Sequence, residues 1–271
     1  MLPLDFDRSA ARASDPPPDA PVIPLIPLIP GIYNYCDRWC ERCRFTDRCL
    51  VFRETQDEDP PRDAASLVHR VRASLQRAVE RIRAIGRRER VGFTALETET
   101  EAPVEDAGRA QYELDPLVVS ARQYGDLAWR LARALGPIVA ARGDPAVIDA
   151  VEIIDWYSSL IGAKTFRAVS GEAFARDLRA EDAGGSDRDT AGVQADFNGS
   201  AKVALLGIAA SRRAWTVLMM EGKATANGVP AQAVRMLDEL DAAARLRFPL
   251  AQAFIRPGFD EAGDGPGWRE S

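Results

Sequence analysis

The sequence predicts an all-α protein, a helical bundle preceded by a small Cys-rich metal-binding module near the N-terminus. Three observations lead there. Apolar residues recur at spacings of three and four over several long segments, strand-like alternation is almost absent, and all four cysteines of the 271 residues fall between Cys36 and Cys49. A hydrophobic content of 46% is enough to bury a core without disulfides.

Residues 1–30 are rich in Pro, Asp and Ala, and the proline steps of PVIPLIPLIPGI favour an extended, polyproline-like path. They read as a disordered start followed by an arm lying on the body. Residues 31–53 form the Cys module. Residues 54–110 read as a basic amphipathic helix between acidic linkers, the first of them ETQDEDPPRD. Val68, Val71, Leu75, Ala78, Ile82 and Ile85 share one face of a helix over 64–86, which is expected to lie alongside the bundle with that face buried. Arg70, Arg72, Arg77, Arg81, Arg83, Arg87 and Arg88 fall mostly on the other faces and suit an acidic partner or a solvated surface.

Residues 111–260 supply four bundle helices, near 115–135, 145–169, 200–221 and 230–246. Asp115 caps the first with Pro116 in its first turn, and Val118, Leu127, Leu131 and Leu135 carry its stripe to Gly136-Pro137. Asp144-Pro145 repeats that start signal for the second, which ends near Ser170-Gly171, before a separate short helix and a Gly-rich loop. Asn198 or Ser200 caps the third, which stops at Gly222. Pro230 opens the fourth, with Val234, Leu237, Leu240 and Ala244 as its stripe. Phe248, Phe254 and Phe259 dock the segment that follows, and 261–271 is a flexible tail. Trp129, Trp156 and Trp215 read as core.

A net charge of -6 and a pI near 5.1 argue against a surface built to hold nucleic acid, so a protein partner is expected instead. The first residues lack a basic start followed by an apolar run, and no stretch has the roughly 18 uncharged apolar residues of a membrane span. The expectation is a cytoplasmic protein with no membrane association. Cytosolic thiols stay reduced, so clustered cysteines point to metal rather than disulfides.

The spacing is Cys36-x3-Cys40-x2-Cys43-x5-Cys49. Four thiolates complete either a tetrahedral zinc or one [4Fe-4S] cubane. Structural zinc usually takes two cysteine pairs across a longer loop, and this chain has no second pair downstream. A cubane is larger, and a short winding segment with uneven steps can wrap it. The neighbours suit an anionic centre: Arg38, Arg42, Arg44, Arg48 and Arg53 outnumber Asp37, Glu41 and Asp47, while Tyr33, Tyr35, Trp39, Phe45 and Phe52 can keep water from the sulfurs. The ending Cys40-x2-Cys43-x5-Cys49 resembles the last three ligands of the cluster loop in endonuclease III-type DNA glycosylases and in iron-staple nucleases. The resemblance covers only this segment and departs from the glycosylases in its shorter first interval, so it implies the cluster type and not a DNA activity. Cys36-x3-Cys40-x2-Cys43 is also similar to the radical SAM motif. Against that reading, Cys49 is placed to fill the iron position that family leaves open, Arg42 stands where an aromatic residue is usual, and no barrel-forming strands follow.

The function expected is therefore [4Fe-4S] binding for electron transfer or redox sensing. One alternative is a scaffold or interaction protein with a structural four-cysteine zinc site. Another is an enzyme with a polar pocket between helices, formed by Glu152, Asp155, Lys164 and Lys202. His69 is the only histidine, which removes metalloprotease, Ser-His-Asp and carboxylate-histidine di-iron schemes. NGSAKVALL lacks the spacing of a P-loop.

Overall fold

The computed structural model describes residues 26–55, 63–89, 111–181, 192–220 and 228–261. The described residues form six α-helices, in order α1 (Leu50–Thr55), α2 (Ala64–Glu89), α3 (Pro116–Arg142), α4 (Pro145–Glu181), α5 (Asp196–Met220) and α6 (Val229–Arg247). Short 3-10 turns occupy Ile32–Asn34, Cys40–Arg42, Thr46–Arg48 and Ala251–Ala253, and the described residues contain no strand. The protein is all-α.

Local chemistry sets the bundle's ends. The Asp115 carboxylate accepts from Leu117 N at 3.0 Å, with Pro116 behind it, which satisfies one of the free amides that open α3. Asp144 does the same for α4 through Ala146 N, at 3.1 Å. Between them Gly143, at φ 71°, closes α3 with its N–H on Val139 O. Only two residues separate α3 from α4, so two helices that pack along their lengths must run antiparallel. A Cβ on Gly125 would collide with the Ser158 carbonyl, which shows how closely those backbones approach.

The same register continues around the bundle. Gly171 of α4 faces Phe197 of α5, Arg212 of α5 pairs with Asp238 of α6, and Arg247 at the end of α6 reaches Asp115 at the start of α3. Arg247 also binds Glu172 of α4, so one guanidinium ties three helices at that end. The core between the four holds Val118, Tyr124, Ile154, Tyr157, Ile161, Ile208, Trp215, Leu218 and Leu237. Trp215 is fully buried and donates its indole N–H to the Tyr124 hydroxyl at 3.1 Å, which gives each ring's polar group a partner.

Several boundaries differ from the sequence expectation, each for a structural reason. α3 passes through Pro137 because Val139 beyond it is buried, which offsets the missing hydrogen bond. α4 does not stop at Gly171. That glycine lets Phe197 approach, and Ala173 and Ala175 are buried farther on. α5 starts at Asp196, not at Asn198 or Ser200, because Ala195 O already accepts from Asn198 N at 2.9 Å. Asn198 instead donates its amide to Gly192 O. The expected stop at Gly222, the start of the arm before residue 26 and the tail from 262 lie outside the described residues.

The largest departure is α2. The helix forms where its periodicity predicts, but its stripe is not buried: Val68, Val71 and Leu75 remain more than half exposed. Trp129 is exposed as well, on the outer side of α3.

Candidate metal centre

The Cys module is a chain of tight turns built around a small core of its own. Ile29, Ile32 and Phe45 are buried together, with Tyr33, Cys43, Cys49 and Phe259 packed against them. Residues 26–29 of the arm lie along it, since Ile29 N donates to Arg48 O at 3.0 Å and Arg48 returns a bond to Pro27 O. The chain's far end completes the core. Phe259 meets Phe45 edge-on at 5.1 Å, and Gly258, at φ 76°, sits where a Cβ would come within 2.8 Å of Ile29.

All four cysteines line one small recess that is partly open to solvent. Tyr33, Trp39, Phe52 and Phe259 supply its apolar walls. Two backbone amides are aimed at sulfur: Phe45 N lies 3.4 Å from Cys43 Sγ, and the Arg38 N–H hydrogen-bonds Cys36. Both join a cysteine to the amide two residues on, an arrangement that stabilises a thiolate. Arg38 has a left-handed φ of 63°, uncommon for a residue with a side chain, and this bends the three-residue interval tightly enough for Cys40 N to reach Arg38 O. Burial pushes the Cys36, Cys40 and Cys43 thiols up, and at Cys40 the other three cysteines add to the rise. Arg38 and Lys164 oppose the rise at Cys36. Among the described residues, however, no three His, Cys, Asp or Glu side chains have the geometry to hold a metal ion as they stand.

The module is fixed to the bundle chiefly through α4. Trp39 stacks on Trp156 with centroids 5.0 Å apart. Asp37 sits in the middle of the contact, its carbonyl accepting from the Trp156 indole and its carboxylate from the Tyr157 hydroxyl, both at 2.9 Å. Burial, then the Asp37 charge, hold the Tyr157 phenol far above its usual range, so it stays a donor. Arg42 lies over the Trp39 ring at 3.8 Å and binds Asp149 and Glu152 at 2.5 and 2.6 Å. Lys164 donates to Asn34 O at 2.9 Å, and burial brings its pKa down to about 8. Tyr35 reaches Asp196 of α5 with its hydroxyl and packs on Phe254 with its ring. Gly199 leaves room for that ring pair, since a Cβ there would strike both.

This geometry revises the roles given to neighbours of the cysteines. Tyr35 faces the bundle, not the sulfurs. Arg42 is committed to two carboxylates of α4, Arg48 and Arg53 bind carbonyls of the arm, and the Arg44 guanidinium lies over Phe45. Arg38 and Lys164, the second contributed by the bundle, are the positive groups that act on the Cys36 thiol.

Nor do Glu152, Asp155, Lys164 and Lys202 share one inter-helix pocket. Glu152 and Asp155 border a recess between α3 and α4 with Arg133 and Pro137. Lys164 turns to Asn34, whereas Lys202 binds Phe254 O and Asp260 near the chain's end. Burial alone would raise the Asp260 carboxyl, but hydrogen bonds from Arg256 and Lys202 outweigh it and hold the carboxyl well below its ordinary range. A depressed folded value means stability that is present above the unfolded pKa of about 3.9 and lost as pH falls toward the folded one. Asp260→Asn should therefore cost on the order of 2 kcal/mol at neutral pH. The gap between variant and parent urea midpoints should close as the pH drops below about 4.

The residues that dock the module, Asp37, Trp156, Tyr157, Gly199 and Asp196, carry no sequence signal of that role beyond Trp156 and Tyr157 being adjacent on a helix. Comparison of the chain with family models, curated proteins and solved structures finds no match.

Proposed function

We propose that the chain binds a [4Fe-4S] cluster through Cys36, Cys40, Cys43 and Cys49 and serves electron transfer or redox sensing. The observation that carries this reading is the single recess lined by every cysteine of the protein, walled by aromatic rings and entered by amides pointing at sulfur. Four cysteines at uneven steps within one short segment suit a cubane wrapped by that segment better than a single ion held between two separated pairs. Bound there, the group supplies one-electron exchange. The chain's own part is to furnish all four ligands, keep water off them with Trp39, Phe52 and Phe259, and set the local charge with Arg38 and Lys164. With every ligand from protein, no coordination position is reserved for a substrate, which favours a redox carrier or sensor acting on a protein partner.

A structural four-cysteine zinc site in a scaffold protein is the second reading, favoured by the amide contact at Cys43, which suits any metal thiolate. Purification without oxygen separates the two. Brown protein with about four irons and four sulfides per chain supports the first, and colourless protein with about one zinc supports the second. A further expectation concerns charge. Arg38→Gln should lower the midpoint potential measured by voltammetry while the metal stays bound, because a cation near Cys36 favours the added electron. Arg42→Gln should shift it much less, since that guanidinium is already neutralised by Asp149 and Glu152.

A further inference from the structure

Helix α2 shows solvent a continuous apolar stripe. Leu67, Val68, Val71, Leu75 and Val79 are 48, 60, 51, 62 and 45% exposed. Their spacing places them on one side of a helix of 26 residues, about 39 Å long. Ala78, Ile82 and Ile85 continue the same spacing in the sequence. Residues 64–89 also hold seven arginines against two glutamates, in a chain whose net charge is -6, so positive charge is concentrated on this element. Exposed apolar surface of this extent on a soluble helix marks an interaction site.

We propose that α2 is a surface-binding helix for anionic phospholipid membranes, lying in the plane of the interface. An anionic bilayer meets both features at once: the stripe sinks to the acyl boundary while arginines on the remaining faces bind headgroup phosphates. A nucleic-acid backbone would use the charge and leave the leucines and valines in water. A second copy would cover the stripe but set seven arginines beside seven. In-plane binding needs no membrane-spanning segment.

The test is cosedimentation of the full-length chain with vesicles of phosphatidylglycerol mixed with phosphatidylcholine, and with vesicles of phosphatidylcholine alone. The expected result is retention by the anionic vesicles only, weakened as salt rises from about 0.1 to 1 M. Val71→Gln with Leu75→Gln, both at exposed positions and both introducing a good helix former, should lower the vesicle partition coefficient at least about tenfold. Arg72→Gln with Arg83→Gln should lower it about thirtyfold, at about 1 kcal/mol per arginine. Circular dichroism should show unchanged helicity in each variant. Equal retention by the two vesicle types, or variants that bind like the parent, would overturn the proposal. So would a dimeric chain that the glutamine pair makes monomeric without any vesicle retention, and so would retention by duplex DNA in place of vesicles.

Discussion

Replacing Cys43 and Cys49 with serine is expected to abolish metal retention and leave the four-helix bundle folded. On the proposed reading two of four ligands are then lost, and serine hydroxyls do not substitute for thiolates toward a soft centre. Cys43 is also the sulfur that receives the Phe45 amide, so its loss removes that backbone contact as well as a thiol. The bundle should be indifferent. Its core is made by α3 to α6, whereas the cysteines border a separate small core of Ile29, Ile32 and Phe45. Metal analysis per chain should fall from about one centre to none, with far-UV ellipticity retained. Undiminished metal in the double variant would place the ligands elsewhere. Loss of cooperative unfolding would mean that the module is part of the bundle's folding unit.

The second large effect is expected at Trp215. Truncation to alanine removes the largest fully buried side chain, sited where α3 and α5 meet, and leaves the Tyr124 hydroxyl without its indole donor. Such a cavity costs roughly 3–5 kcal/mol, a large share of the 5–15 kcal/mol typical of a domain. Trp215→Phe should cost less, because most of the volume is kept and the main loss is one buried hydrogen bond. Urea unfolding followed by ellipticity checks both, and equal midpoints for alanine and phenylalanine would remove the packing argument.

These two expectations draw on different kinds of information. The cysteine set was legible because four residues of one reactive type in a short segment form a local pattern, independent of the rest of the chain. The bundle helices were legible for a similar reason: Asp115-Pro116, Asp144-Pro145 and the recurring Val, Leu and Ala positions are signals read within one or two turns. Boundaries at Pro137 and Gly171 were misread where long-range packing overrode local preference. Gly171 looks like a stop in sequence, yet it serves a contact with Phe197 on the next helix.

The sequence by itself determined the helical class, the order of the four bundle helices and the identity of the clustered thiols, because periodicity, caps and composition act over a few residues. Only the tertiary structure decided what surrounds those thiols. Trp156, Tyr157 and Lys164 lie more than a hundred positions from the cysteines, and Phe259 more than two hundred, yet they hold or wall the module. The fate of two amphipathic stripes was likewise beyond the sequence. Those of α3 and α2 have the same spacing, but α3 is pressed against α4 and α6, while Leu67, Val68, Val71, Leu75 and Val79 of α2 stay open to solvent. Periodicity shows that a face is apolar. What covers that face depends on how the chain folds back, a property of the whole molecule.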